Sequence, residues 1–348
     1  MASLISVIVP VYNSAVYLTE CLDSLKKQNF KDVEFIIIND GSKDSSGEII
    51  DNYAKNDSRF IAIHKNNEGV SAARNDGLKI AKGEFVFFCD SDDILAENAL
   101  DKLYQKAKTG NADVVIGDYI AFNENRKKAY SYFSHEFSTK EKNIIEQIQQ
   151  MVLYRGYSPY YTKDCGYLFS TPWGFLIKKE IFEKNKIEFP RDLNYYEDGI
   201  VLLKIFEFAS AVAYIKNEIY LYRITKNSLC HSEGLELIEK CSKASSYISN
   251  FIFEFNKGHE FTNAYYARMI FFLKKIALKS FFIKEFPGSF FKKYKCFKQL
   301  VISKEYKKAT QNIKHLKLKE SEKYFGYVLR FRLTFFYALA QHFRNRFK

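Results

Sequence analysis

Proline and glycine are scarce in this chain, 5 and 15 among 348 residues. That scarcity excludes collagen-like repeats and Pro/Gly low-complexity architecture. Cysteine occurs at 21, 89, 165, 230, 241 and 296, with no CxxC pair and no regular spacing. Neither a disulfide framework nor a zinc site is expected, and the usage suits a reducing cytosol. The histidines, at 64, 135, 231, 259, 315 and 342, show no metal-ligand spacing. No uncharged apolar run reaches the ~18 residues a bilayer span needs; Met269–Leu273 is broken by Lys274 and Lys275. The opening stretch Leu4–Val11 has no basic leader and contains Pro10, so it reads as a strand rather than a signal peptide. G-x-G-x-x-G after a strand, G-x-x-x-x-G-K-[ST] and G-x-S-x-G are all missing, which leaves dinucleotide, P-loop and serine-elbow sites without support.

What is present is apolar mass and a lopsided charge. Hydrophobic residues make up 47% and charged residues 27%, enough for a core and too apolar for global disorder. The formal charge of +12 is local: residues 261–348 carry 21 Lys/Arg against 4 Asp/Glu, whereas residues 1–260 carry 32 against 37. The first 120 residues alternate strand and helix signals. Strands are expected at Ser6–Val11, Val33–Ile38, Phe60–Ile63, Glu84–Cys89 and Ala112–Ile116. Helices are expected after Asn13-Ser14, after a Ser45-x-x-Glu48 capping box, over Val70–Lys82 and over Ala96–Lys108. Strands apolar on both faces and joined by helices predict an α/β fold, a mostly parallel central sheet flanked by helices. Ligands then belong at the C-terminal strand ends, where the polar residues gather. Helical signals follow at Lys140–Arg155, at Gly199–Phe208 and from about Glu233 to the end. Pro172–Ile177 reads as a strand.

The strongest chemical signal is Asp90-Ser91-Asp92-Asp93, directly after the apolar run EFVFFC. Three carboxylates in four residues repel one another unless a cation neutralises them. A D-x-D pair at a strand end leaves positions open for water and diphosphate oxygens, as Mg²⁺ or Mn²⁺ prefers. The plain alternative is a solvated turn capping the next helix. Asn39-Asp40-Gly41-Ser42 occupies the matching place after the second strand, where Asp40 can accept from a ribose or a base N–H or simply form an Asx turn. Arg74 brings a guanidinium to the same rim. Glu197-Asp198 opens a helix, a position that suits an N-cap or a general base aimed into a cleft.

In this order, SVIVPVYN, NDGSKDSS, NEGVSAARNDGL through AKGEFVFFCDSDD, and PWGFLIKKEIF with YYEDG resemble inverting family 2 glycosyltransferases of the GT-A fold, over roughly residues 4–230. The resemblance implies a nucleotide-sugar donor, UDP favoured, a divalent metal (Mn²⁺ or Mg²⁺), and single-displacement transfer of a hexose or N-acetylhexosamine to a glycan or lipid-linked acceptor, in capsule, lipopolysaccharide or other surface-polysaccharide assembly. It further implies Pro10, Tyr12, Asp40, Arg74 and Asp90 at the nucleotide, Asp92 on the metal with His231 as a further ligand, and Asp198 as catalytic base. Trp173 and Glu197 would lie at the sugar or acceptor, and Tyr222-Arg223 followed by Asn227-Ser228 resembles the loop that folds over the diphosphate in many relatives. The QxxRW motif of processive synthases is absent, which favours addition of one or a few sugars.

The division expected is 1–120 for the donor half, 121–232 for the acceptor and catalytic-base half, and 233–348 for a basic helical extension. Three roles compete for that extension. It can meet an anionic membrane surface through residues 261–348, which is favoured and puts the chain in the cytoplasm at the inner face of the membrane. It can be a helical cap with solvated charges, or, least favoured, a nucleic-acid binder. A non-catalytic, membrane-associated glycan-binding or scaffold protein of the same fold is the alternative to an enzyme. The Tyr-rich stretch 154–169 is either an acceptor-side surface or a core loop.

Overall fold

A computed structural model describes residues 4–160, 169–225, 234–282 and 289–346, with side chains to His342. The chain divides into two compact units. The first comprises residues 1–152, 158–192 and 197–226, and the second 153–157, 193–196 and 227–348.

The first unit is built on one ten-stranded sheet. Its strands are β1 (Ile5–Val11), β2 (Val33–Asp40), β3 (Phe60–Lys65), β4 (Phe85–Phe88), β5 (Ile94–Leu95), β6 (Val114–Asn123), β7 (Arg126–Tyr130), β8 (Phe137–Thr139), β9 (Phe175–Lys178) and β10 (Val212–Arg223). They lie in the order β3-β2-β1-β4-β9-β6-β10-β5, with β7 on β6 and β8 on β10. From β3 to β4 every pairing is parallel, joined by α1 (Ala15–Lys26), α2 (Ser46–Asn56) and α3 (Val70–Ile80). β9 then enters antiparallel to both β4 and β6, and the sheet becomes mixed. α4 (Ala99–Gly110), α5 (Lys142–Leu153), α6 (Lys179–Lys184) and α7 (Glu197–Phe208) complete the described helices of this region.

The apolar strands bury as their composition demands: every residue of β1 and β2 is buried. Helix α1 turns Leu18, Cys21, Leu22 and Leu25 inward, as its helical spacing predicts. Gly77 lets α3 approach the sheet, since a Cβ there would stand 2.4 Å from Ile8 Cγ2. The helix starts correct the sequence reading. Neither Ser14 nor Ser45 makes a side-chain cap. Asp44 does it for both helices instead, its Oδ2 accepting from Ala15 N (3.0 Å) and its Oδ1 from Ser46 N (3.1 Å). A carboxylate satisfies orphan N–H groups and complements the helix dipole better than a hydroxyl.

The second unit is helical: α8 (Glu236–Glu254), α9 (His259–Ile276), α10 (Phe290–Ile302), α11 (Lys304–Gln311), α12 (Glu320–Arg330) and α13 (Thr334–Arg346). Helix α9 touches α8, α11 and α12, and its Phe261, Ile270, Phe272 and Leu273 form the middle of the core. Among the described residues no helix is long and apolar enough to cross a membrane.

Candidate active site

The parallel register places the ends of three strands side by side. Val11 lies opposite Asn39, and Ile8 opposite both Ile36 and Phe88, so Tyr12, Asp40 and Asp90 all emerge at the same edge of the sheet. Pro10 is buried at the end of β1, and Tyr12 beyond it is 52% exposed. Asp40 is 3% exposed, and its two carboxylate oxygens accept from Glu68 N (2.9 Å) and Gly69 N (2.8 Å). Gly41 follows at φ 74°, where a Cβ would lie 2.7 Å from Asn67 N, so only glycine fits this turn.

Arg74 joins the two acidic centres. It is buried on α3, donating from Nη1 to Asp198 Oδ1 (2.7 Å) and from Nη2 to Asp90 Oδ1 (2.9 Å), with its guanidinium over the Phe189 ring at 5.3 Å. Asp198 sits in the first turn of α7 beside Glu197. Burial, then the charges of Glu197 and Asp90, push its carboxyl well above the ordinary carboxylate range, against the downward pull of Arg74. A carboxylate so raised is a stronger base than a solvated one. Its second oxygen takes no hydrogen bond among the described residues.

The acidic turn is held from β10, a strand the sequence reading did not identify. Tyr220 Oη donates to Asp93 Oδ2 (2.8 Å) and accepts from Asp90 N (3.0 Å). Arg223 N donates to Asp93 Oδ1 (2.7 Å), and its Nε donates to the Asp92 carbonyl (2.8 Å). The same guanidinium pairs with Glu20 and lies between the rings of Tyr17 (4.8 Å) and Phe122 (4.6 Å). Below the turn, Cys21 and Cys89 point their sulfurs at the Asp90 carbonyl.

Asp92 is the residue left over. It takes no ion pair and no side-chain hydrogen bond among the described residues. Burial and the neighbouring Asp90 charge push its carboxyl up to about 6. Two neighbouring carboxylates of this kind, hard oxygen donors of which Asp92 has only the attraction of the Arg223 guanidinium to offset its charge, fit a divalent cation. No group of three or more His, Cys, Asp or Glu among the described residues is gathered to hold a metal alone. The pair therefore suits an ion completed by oxygens from another molecule.

One expectation needs correction. Trp173 is 1% exposed, stacked on Tyr220 (4.6 Å, 4° between planes) and Tyr222 (5.4 Å). No face of the ring is left to meet a sugar, and it backs the strand that holds the acidic turn. Tyr222-Arg223 form the end of β10, the arginine committed to the Asp92 carbonyl, Glu20 and two rings, and the residues that would carry the loop onward, 226–233, lie outside the described residues. His231, Asn227-Ser228 and residues 161–168, half of the 154–169 stretch, lie outside the described residues.

Comparisons with known proteins bear on the family and the fold. The Glycosyl transferase family 2 model matches residues 6–184. Glycosyltransferase GlyG of Streptococcus pneumoniae is 35% identical over 252 residues, 71% of this chain and 81% of that protein. The poly(ribitol-phosphate) beta-N-acetylglucosaminyltransferase TarP of Staphylococcus aureus is 32% identical over 237 residues, 67% of this chain and 66% of TarP. Among solved structures, S. aureus TarS 1–349 in complex with UDP-GlcNAc superposes with a TM-score of 0.61 at 21% identity, covering 98% of this chain and 88% of that one. At that identity the likeness speaks for the fold.

Proposed function

Since the chain belongs to glycosyl transferase family 2, we propose that it moves a hexose or N-acetylhexosamine from a UDP-sugar to a hydroxyl of a glycan or lipid-linked acceptor, with inversion, in surface-polysaccharide assembly. The observation that carries this reading is the bridge Asp198–Arg74–Asp90, which ties a basic carboxylate to the acidic turn where a diphosphate and its cation would lie. The UDP preference draws on Asp40, whose two oxygens each keep a lone pair for a uracil or ribose donor, and on the UDP-GlcNAc held by TarS. The polyol-phosphate acceptor in TarP's name supports a surface-glycan acceptor.

In this mechanism the acceptor hydroxyl meets the free oxygen of Asp198. As its oxygen bonds to the anomeric carbon, the bond from that carbon to the diphosphate breaks and the proton passes to Asp198. Base catalysis of this kind contributes ~10²–10⁴-fold. Asp92 and Asp90 would hold a divalent metal, which when bound offsets the negative charge developing on the leaving diphosphate. Tyr220 and Arg223 fix the turn so that the two carboxylates keep their places. Arg74 keeps Asp198 oriented. The reading includes a cytoplasmic site of action at the inner face of the membrane, supported by the 21 Lys/Arg against 4 Asp/Glu of residues 261–348.

Two variants test it. Asp198→Asn is expected to abolish transfer while calorimetric UDP-sugar affinity with Mn²⁺ stays close to wild type. Asp92→Ala is expected to weaken the metal-dependent part of that affinity. If Asp198→Asn loses donor binding in step with activity, the residue is structural and the base assignment fails.

A further inference from the structure

The helical unit leaves large apolar side chains outside its core. On α10, Phe290 and Tyr294 pack against Phe335 of α13 at 5.8 and 5.4 Å. The neighbours of that packed pair, Phe291 and Phe336, are 70% and 66% exposed. At the corner between α12 and α13, Phe331 is 64% exposed and Leu333 is also exposed, with Arg332 between them at φ 59°. Cations accompany these groups. The outer face of α10 carries Lys292, Lys295 and Lys298, all exposed, and that helix contains no Asp or Glu. From Lys323 to Lys348 there is no acidic residue either.

Exposed aromatics among unopposed lysines cost solubility unless something covers them. We propose that this surface seats the helical unit on an anionic lipid bilayer. Phe291, Phe331, Leu333 and Phe336 enter the headgroup–acyl boundary, while Lys292, Lys295, Lys298 and Arg332 meet lipid phosphates. Charge complementarity selects this occupant. A second copy would bring the same positive sign to the contact and be repelled. A nucleic-acid duplex would use the lysines but, with its bases already stacked, gives apolar side chains on a helix corner no dry place to go. Interfacial binding uses both features, apolar burial and attraction to anionic headgroups. The inference rests on the membrane part of the reading above and is independent of the chemistry assigned to Asp198.

The test uses the full chain sedimented with vesicles of phosphatidylcholine, with and without phosphatidylglycerol. Wild type is expected to bind the anionic vesicles at low salt and to come off as salt rises. Replacing Lys292, Lys295 and Lys298 by Gln should weaken partitioning about a hundredfold, at roughly fivefold per cation. Phe331→Ser with Phe336→Ser should weaken it about tenfold or more with the salt dependence retained. Phe331→Trp gives a second readout, a blue-shifted emission on adding anionic vesicles. If wild type ignores anionic vesicles at low salt, the membrane reading and this surface both fall. Should wild type bind but every variant bind equally, or the emission of the Phe331→Trp variant stay unmoved, the surface assignment falls alone. Tighter binding to a duplex oligonucleotide than to anionic vesicles at equal salt also overturns it. Sugar transfer to a soluble acceptor without vesicles should be unchanged in all these variants; its failure in wild type would bear on the transferase reading only.

Discussion

Replacing Arg74 by Met should expose how much of the fold's stability is tied to the acidic centre. The side chain is 4% exposed and donates to two carboxylates, Asp198 and Asp90, that lie on elements more than a hundred residues apart in sequence. Methionine fills most of the volume and can still lie against Phe189, so the loss is electrostatic rather than a cavity. Removing one partner of a buried ion pair costs about 3–5 kcal/mol, because the remaining charge is left desolvated. A loss of ~4 kcal/mol changes the ratio of folded to unfolded chain by about a thousandfold. The deficit has a definite pH dependence. Without the guanidinium the folded-state pKa of Asp198, already raised by burial, rises further. A raised carboxyl adds stability that is present below its unfolded value and is lost as pH rises through the folded value. Urea unfolding should therefore show the Arg74→Met deficit largest above neutrality and shrinking as the buffer is made acidic. A double variant that also carries Asp198→Asn should recover part of the loss. A deficit below about 1 kcal/mol, the size a solvated surface pair gives, or one that grows on acidification, where the carboxylates are protonated and the pairs already lost, would refute the reasoning.

Arg223→Ala removes the donor to the Asp92 carbonyl and the cation between Tyr17 and Phe122. The donor KM and the Mn²⁺ requirement should rise more than kcat falls, with Arg223→Lys intermediate because it keeps the charge but not the flat stack. Equal loss across kcat and KM in both variants would indicate general destabilisation instead. At Asp118, buried against Tyr214 Oη and Tyr132 N, burial pushes the carboxyl up to about 6 from 3.8. Its contribution to stability fades as pH rises from about 4 to about 6, so Asp118→Asn should gain on wild type across that window by up to ~3 kcal/mol, read from thermal unfolding at stepped pH. Parallel profiles would contradict it.

The parallel half of the sheet was legible because β1, β2 and β4 are short apolar runs ended by polar turns, and a strand buried on both faces has few other ways to look. The donor-side residues were legible for the same reason: Asp40 and Asp90 end those runs. β10 was not. Its register against β6 shifts between Ile215 and Glu218 and again before Tyr220. Lys216, Asn217 and Glu218 fall at these irregularities and break the apolar pattern a strand is read by. With β10 unseen, the clamp of Tyr220 and Arg223 on the acidic turn could not be anticipated, although Asp93, a third carboxylate with no role assigned, was a sign that something must receive it. The Asp44 caps were hidden too, because α1 begins 29 residues before the carboxylate that caps it. Trp173 misled through its neighbours in sequence, when its real neighbours are the rings of β10.

The antiparallel β9 has a consequence for how the chain is made. It lies between β4 and β6 in the sheet but is translated after both, beyond Trp173. While the nascent chain emerges, β1 to β4 can pair as soon as Phe88 clears the ribosome, yet the β4 edge stays bare until Lys178 follows. Bare edges of apolar strands recruit other chains. Ribosomal pausing between these points, or a fragment ending near residue 120, should therefore aggregate where the intact polypeptide does not.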